Sequence, residues 1–267
     1  MQKMFRPAVL FLRQKQQEMS GHSKWSTIKH KKGAKDAKRA KIFTRLIKEL
    51  TVAARDGADP DANPRLRLAI QNAKGANMPK DNIQRAIKKG AGAEGESYFE
   101  QNFEGYGPGG IGIYVECTTD NTNRTVANVR SYFTKGGGNL GTNGSLDFIF
   151  DRKGVFVVEA DALGELDPDE FEMELIDGGA EEVEQEEGSF FIYTSFEDFG
   201  NMNKKLEELG IEAKSAEAQR IPNSTNEVPA DVAKQVLRLI EMFDEDDDVN
   251  NVYHNMELTD EVAAVLE

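Results

Sequence analysis

The chain holds little of what most chemistry-bearing sites are built from. Among its 267 residues there are one cysteine, Cys117, one tryptophan, Trp25, and three histidines. A single cysteine excludes an intrachain disulfide and leaves a thiolate zinc site without its ligands, which fits a reducing, cytoplasmic setting. No apolar run approaches the roughly 18 residues needed to span a bilayer, and the first apolar stretch, from Ala8 to Leu12, is too short for a signal-peptide core. No membrane partner is expected. His22, His30 and His254 support no Ser/His/Asp or Cys/His constellation, no Walker A lysine pattern occurs, and carboxylates are too abundant to be diagnostic. The chain is therefore expected not to be an enzyme, with no catalytic residue, no metal, no cofactor and no small-molecule substrate.

Two glycine runs match G-x-G-x-x-G, one through Gly105, Gly107 and Gly110 and one through Gly136, Gly138 and Gly141. A dinucleotide site needs a strand before the glycines and a helix after them, so that the helix N-terminus meets the pyrophosphate. The first run leads into a strand and the second follows a helix, so tight turn geometry accounts for both better. The acidic run from Asp244 to Asp248 lacks the glycine of a calcium loop and reads as a solvated loop.

What the chain does have is charge, unevenly placed. Residues 1–90 hold 22 Lys+Arg against 7 Asp+Glu, a net of +15, and residues 91–267 hold 11 against 40, a net of −29. The average, a pI of about 4.8, conceals two opposed halves. Between Lys24 and Lys48, ten bases (Lys24, Lys29, Lys31, Lys32, Lys35, Lys38, Arg39, Lys41, Arg45 and Lys48) stand against the single acid Asp36. Such a run repels itself unless an anion neutralises it, and nucleic acid supplies phosphates densely enough, with counterion release driving the association. A solvated charge run is the competing reading. A membrane surface fits less well, because the segment lacks a large apolar face. Trp25, inside the run, is placed to stack on an unpaired base or to anchor a small core.

Patterning divides the chain into regions. Met1 to Glu18 is set outside the fold as an extended start before Met19, with a short organelle-targeting segment as the alternative. Residues 19–95 read as a basic arm, extended to about Ala40, followed by three short helices: one through Phe43, Ile47, Leu50 and Ala54 ending at Gly57, one from Asn63–Pro64 through Leu66 and Ile70, and one opened by Pro79 through Ile83, Ala86 and Ile87. The small, polar run Ala91 to Ser97 reads as a linker, after which helical spacing gives way to alternation. Residues 96–153 with 219–267 read as an α+β domain, including strands Phe99 to Tyr106, Ile111 to Cys117, Leu146 to Phe150 and Val249 to Tyr253. Residues 154–218 follow the βαββαβ order of a ferredoxin-like unit inserted in that domain. The fold class is thus α+β, with a basic three-helix region followed by two α+β domains. Arg85, Lys88 and Lys89 on the third helix, and Arg124 and Arg130 near the segment TDNTNRT, are secondary candidates for nucleic-acid contact. For Arg124 and Arg130, pairing with nearby carboxylates is the competing reading.

Several long segments carry a family resemblance: MSGHSKWSTIKHKKGAKDAKRAKIFTRLIKEL from Met19, then DPDANPRLRLAIQNAKGANMPKDNIQRAIKKG, GYGPGG, TDNTNRT, GGGNLG and VNNVYHNMEL. Together they resemble the YebC/PmpR family, related to the mitochondrial translational activator of cytochrome c oxidase subunit I. The resemblance implies an N-terminal helical domain and two α+β domains, the last inserted in the second. It also implies a regulator of gene expression, either a DNA-binding transcriptional regulator or a factor acting in translation at the ribosome. On that resemblance Lys24, Trp25, Lys29, His30, Lys31, Lys32, Lys35, Lys38 and Arg39 are carried over as nucleic-acid contacts, and the charge run adds Lys41. A flexible basic arm suits ribosomal RNA or the ribosome, whereas a duplex DNA reader more often presents a recognition helix; Asn82, Gln84 and Arg85 on the third helix keep duplex DNA open as the alternative.

Overall fold

A computed structural model of the chain describes residues 36–92, 98–186, 188–259 and 262. These fall into two compact units, one of residues 152–219 and one of the remaining described residues.

The larger unit starts with three helices, α1 (Asp36–Ala53), α2 (Pro64–Gly75) and α3 (Lys80–Ala91). Leu46, Leu50 and Ala53 of α1 close over Leu66, Ala69 and Ala73 of α2 and Ile83, Ala86 and Ile87 of α3, an apolar core that uses the helical spacings present in the sequence. Asn63 ties the first two helices together. Its Oδ1 caps α2 by accepting from the Leu66 amide at 3.0 Å, while its Nδ2 donates to the Ala53 and Gly57 carbonyls at 2.7 and 2.8 Å. Such a cap stabilises a helix by about 1 kcal/mol. Gly90 lets α3 press against α1, since a Cβ there would lie 2.2 Å from the Thr51 carbonyl oxygen.

The rest of this unit is a sheet in the order β3-β1-β2-β8, built from β1 (Phe99–Tyr106), β2 (Gly112–Thr119), β3 (Asn139–Leu140) and β8 (Val249–His254). Its paired strands are antiparallel. Helices α4 (Thr122–Lys135) and α7 (Ala230–Asp244) pack on the sheet and on each other, with the Phe133 and Phe243 rings edge to face at 5.0 Å. The two glycine turns pack together as well. A Cβ on Gly138 would lie 2.4 Å from the Tyr106 carbonyl oxygen and one on Gly105 2.5 Å from that of Asn139, so here the missing side chains permit backbone to meet backbone.

Residues 152–219 form the second unit, from strands β4 (Phe150–Glu159), β5 (Ala180–Glu186), β6 (Ser189–Ser195) and β7 (Ser215–Pro222) and helices α5 (Pro168–Asp177) and α6 (Phe199–Glu208). The chain order βαββαβ and the strand order β5-β6-β4-β7 make it ferredoxin-like. Phe156, Phe171, Leu175, Ile192, Met202 and Leu206 are buried in its core.

Three expectations are corrected. Helix α1 begins by Asp36, so the last residues of the expected extended arm are helical; Arg39 and Ala40 are exposed, and propensity rather than an apolar stripe sets this end. Leu146 to Ile149 is a turn rather than a strand, and β4 begins at Phe150, because the Leu146 amide, like that of Gly144 before it, is bound by a side chain of β1. The acidic run before β8 is not wholly solvated, since Asp248 is 5 % exposed. Of the expected linker, residues 93–97 lie outside the described residues.

Candidate nucleic-acid interface

The basic run enters the described structure on α1, where its positions divide by what they face. Arg39 is exposed, its guanidinium 5.3 Å from the centre of the Phe43 ring. Lys41, Arg45 and Lys48 follow at helical spacing along one stripe, and they turn toward the end of α7, the residues after it and the start of β8. Arg45 donates to the Asn251 Oδ1 at 2.7 Å and the Asn250 carbonyl at 3.4 Å. The Lys48 ammonium is buried and fully engaged, donating to the Thr118 carbonyl at 2.9 Å, the Asp247 carbonyl at 2.6 Å and Asp248 Oδ1 at 3.2 Å.

Asp248 is the hub of this junction. Its Oδ2 accepts from Thr119 Oγ1 at 3.0 Å, Thr125 Oγ1 at 2.9 Å, and the Arg124 Nη2 and Nε at 2.6 and 3.2 Å. Burial by itself would push this carboxyl up; the hydrogen bonds from Arg124, Thr125 and Thr119 and the charge of Lys48 outweigh burial and hold it below the ordinary aspartate value. One buried carboxylate thereby joins α1, the end of β2, the start of α4 and the start of β8.

Lys41 is in a different position. Its amine is buried without a hydrogen-bond partner, and burial lowers its pKa against the attraction of Asp244, Asp247, Asp246 and Glu245. Arg124 is committed to Asp248 and to Asp120, at 2.8 Å, and those two hydrogen bonds raise its pKa. Arg130 is exposed on α4.

A second group of bases lies on α3, whose outer face carries Lys80, Gln84, Arg85, Lys88 and Lys89, all exposed. Arg85 curls back on its own helix, donating to the Asp81 carbonyl at 3.2 Å and Asn82 Oδ1 at 2.5 Å. The Lys89 amine sits 5.7 Å from the centre of the Tyr98 ring, with Lys48 at 5.8 Å.

Lys24, Trp25, Lys29, His30, Lys31, Lys32 and Lys35 lie outside the described residues; Lys38 belongs to α1, and its side chain is likewise outside them. Arg85, Lys88 and Lys89 share one helix, whereas Arg124 and Arg130 lie on α4 with Arg124 engaged by carboxylates. Sequence reading overlooked Asp248 as an organising residue. Its signal was the threonine-rich segment TDNTNRT, whose hydroxyls have no apolar role after a strand and bind a carboxylate here. Among the described residues no group of three His, Cys, Asp or Glu side chains is placed to hold a metal. Cys117 is buried, and burial pushes its thiol up to about 12, which leaves it protonated and inert at neutral pH.

Family models match nearly the whole described chain: one for the TACO1/YebC protein N-terminal domain over residues 23–93 and one for the TACO1/YebC second and third domain over residues 98–256. A "Probable transcriptional regulatory protein" of Amoebophilus asiaticus is 52% identical over 241 residues, covering 89% of this chain and 98% of its own. A protein of the same name from Actinobacillus succinogenes is 47% identical over 251 residues, covering 93% of this chain and 100% of its own. The crystal structure of a conserved hypothetical protein from Aquifex aeolicus is similar with a TM-score of 0.75 at 44% identity, covering 84% of this chain and 93% of that one.

Proposed function

Since this chain belongs to the TACO1/YebC family, we propose that it is a regulator of gene expression that binds nucleic acid through its basic N-terminal run, acts without catalysis, and takes RNA of the ribosome as its target. The observation that carries this reading is the ratio of ten bases to one acid between Lys24 and Lys48. The surroundings of the described bases support a division of roles among the ten. Arg45 and Lys48 are committed to the α+β core and Lys41 faces four acids, so they fix the helix from which the run departs. Phosphate contact then falls chiefly to Lys24, Lys29, Lys31, Lys32, Lys35, Lys38 and Arg39, with Trp25 and His30 available for stacking. Lys80, Lys88 and Lys89 on α3 extend the positive surface.

RNA is favoured over duplex DNA because a basic segment with no apolar stripe moulds onto irregular phosphate surfaces. The second reading, a DNA-binding transcriptional regulator, is favoured by the printed names of the relatives. Competition decides between them. With a labelled ribosomal RNA fragment bound at near-physiological salt, unlabelled RNA of the same length should displace it at a far lower concentration than duplex DNA. Equal displacement, or preferential displacement by one DNA sequence, would favour the transcriptional reading.

A further inference from the structure

The ferredoxin-like unit is strongly acidic: residues 152–219 hold 20 Asp+Glu against 5 Lys+Arg, a net of −15. Its own bases are already engaged. Lys153 pairs with Glu181 at 3.2 Å, Lys204 with Glu208 at 3.5 Å, Lys205 with Glu174 at 2.9 Å and Lys214 with Glu159, while Arg152 lies over the Phe196 ring at 3.8 Å. Both helices pack on one face of the sheet, where Phe199 of α6 meets Phe156 and Phe171 of α5 meets Phe190. Alternation sends the neighbouring strand residues to the other face. There the register lays out rows across β5, β6 and β4: Glu182, Tyr193 and Val155, then Glu184, Phe191 and Val157, then Glu186, Ser189 and Glu159. Tyr193 donates to Glu184 Oε2 at 3.4 Å and Ser189 Oγ to Glu159 Oε2 at 2.9 Å, as side chains sharing that face would. Burial, and after it the charges of Glu184 and Glu182, raise the Tyr193 hydroxyl well above the ordinary tyrosine pKa. The face is apolar at its centre, acidic around it, and free of α5 and α6. Yet Val155, Val157, Phe191 and Tyr193 are only 2–5 % exposed, and Glu182 and Glu184 8 %. Its cover comes from outside these six elements.

We infer that this face seats the chain's own basic run, residues 24–35, and that nucleic acid competes with the face for it. A cover here must bring apolar surface to Val157 and Phe191 and positive charge to the carboxylates, because a buried carboxylate is costly without a cation beside it. The run supplies both. From Met19 to Lys35 it has five lysines and no acid, with Trp25 and Ile28 set between Lys24 and Lys29. A tethered segment also meets the face at a roughly millimolar effective concentration, an advantage that a separate basic protein lacks. Residues 19–35, which join α1 at Asp36, reach up to about 60 Å when extended, several times the width of four strands about 4.8 Å apart. Seated, the run is withheld from sparse phosphates, and a partner must offer phosphate densely to displace it. That competition rests on the reading that the run binds nucleic acid; the seat itself does not.

Trp25 is the sole tryptophan of the chain, so its fluorescence reports on the run alone. In the full chain without nucleic acid, its emission should be blue-shifted and shielded from acrylamide relative to N-acetyltryptophanamide in water. Carbodiimide, which joins amines to carboxylates in contact, should link lysines of the run to Glu182, Glu184 or Glu186, as read by mass spectrometry, and a ribosomal RNA fragment should abolish those links. Glu182→Gln with Glu184→Gln should move the emission to the red and tighten RNA binding about tenfold, since a seat favoured tenfold leaves about a tenth of the runs free. Circular dichroism checks that this variant is folded. Lys31→Glu with Lys32→Glu, which leaves the sheet untouched, should release Trp25 equally and covers the case in which it is not. An emission already matching N-acetyltryptophanamide, links confined to carboxylates outside this face, or a Trp25 signal that neither pair of substitutions moves would each overturn the inference. Failure of the nucleic-acid reading looks different: RNA would bind neither the parent nor the Gln variant, although Trp25 is shielded in the first and released in the second. That result would overturn the competition and leave the seat standing.

Discussion

The Lys48 ammonium and the Asp248 carboxylate, 200 positions apart in the chain, meet at 3.2 Å as a buried ion pair that fastens the basic helix to the α+β sheet. Neither charge is there for solvent or for phosphate. The pair sets the direction in which α1 leaves the sheet.

Removing the hub should therefore cost much more than removing a surface charge. Asp248→Asn leaves the Lys48 ammonium buried without its counter-charge and should destabilise the larger unit by about 3 kcal/mol. Lys48→Met leaves Asp248 still bound by Arg124 and should cost less, about 2 kcal/mol. Urea titration followed by circular dichroism measures both, and the double variant should lose less than the sum because the two residues act on each other.

The pH dependence of stability has a sign set by the same carboxylate. Its folded pKa lies below the unfolded value of about 3.9, so its contribution is complete above that value and is lost as pH falls through the folded one. Acid titration of the parent and Asp248→Asn should show their difference in stability narrowing below about pH 4. A difference that stays constant into stronger acid would mean that the carboxylate is not held ionised.

Lys41 gives the opposite balance. Burial lowers its amine pKa in the folded state, so the stability linked to that amine is present above the unfolded value and lost as pH falls through the folded one. At neutral pH the ammonium is a burden on the fold, and Lys41→Met should raise the thermal midpoint. A lowered midpoint would show that attraction to Asp244 and its acidic neighbours outweighs burial.

Gly90→Ala probes the contact between α3 and α1. The new methyl would fall 2.2 Å from the Thr51 carbonyl oxygen and 2.9 Å from the Ala54 Cβ, so the helices must separate. A loss of about 1–3 kcal/mol is expected by differential scanning calorimetry.

Much of this architecture was legible because its signals are local. Phe43, Ile47 and Leu50 repeat at the helical period, Asn63 followed by Pro64 marks a helix start, and the strand and helix order after Gly154 spells out the ferredoxin-like unit. What escaped reading is pairing at a distance. Nothing near Asp248 distinguishes it from Asp246 or Asp247, and only the fold brings Lys48, Thr119, Arg124 and Thr125 to it. Glu104 sits in an ordinary strand pattern, and its capture of the Gly144 and Leu146 amides turned an expected strand into a turn. The basic run was plain as composition, but the division of labour within it, anchors at Arg45 and Lys48 and an acid-facing lysine at Lys41, required the helix to be set against the sheet.

In the proposed function the N-terminal run holds the protein on ribosomal RNA. Its most direct test is co-sedimentation with ribosomes at near-physiological salt, comparing the parent with a variant in which Lys29, Lys31, Lys32, Lys35 and Lys38 are changed to Glu. The parent should travel with a ribosomal subunit, and the variant, folded and with the Lys48–Asp248 junction intact, should stay at the top of the gradient. A variant that sediments as the parent does, or a parent that stays at the top while binding a duplex DNA sequence selectively, would contradict it.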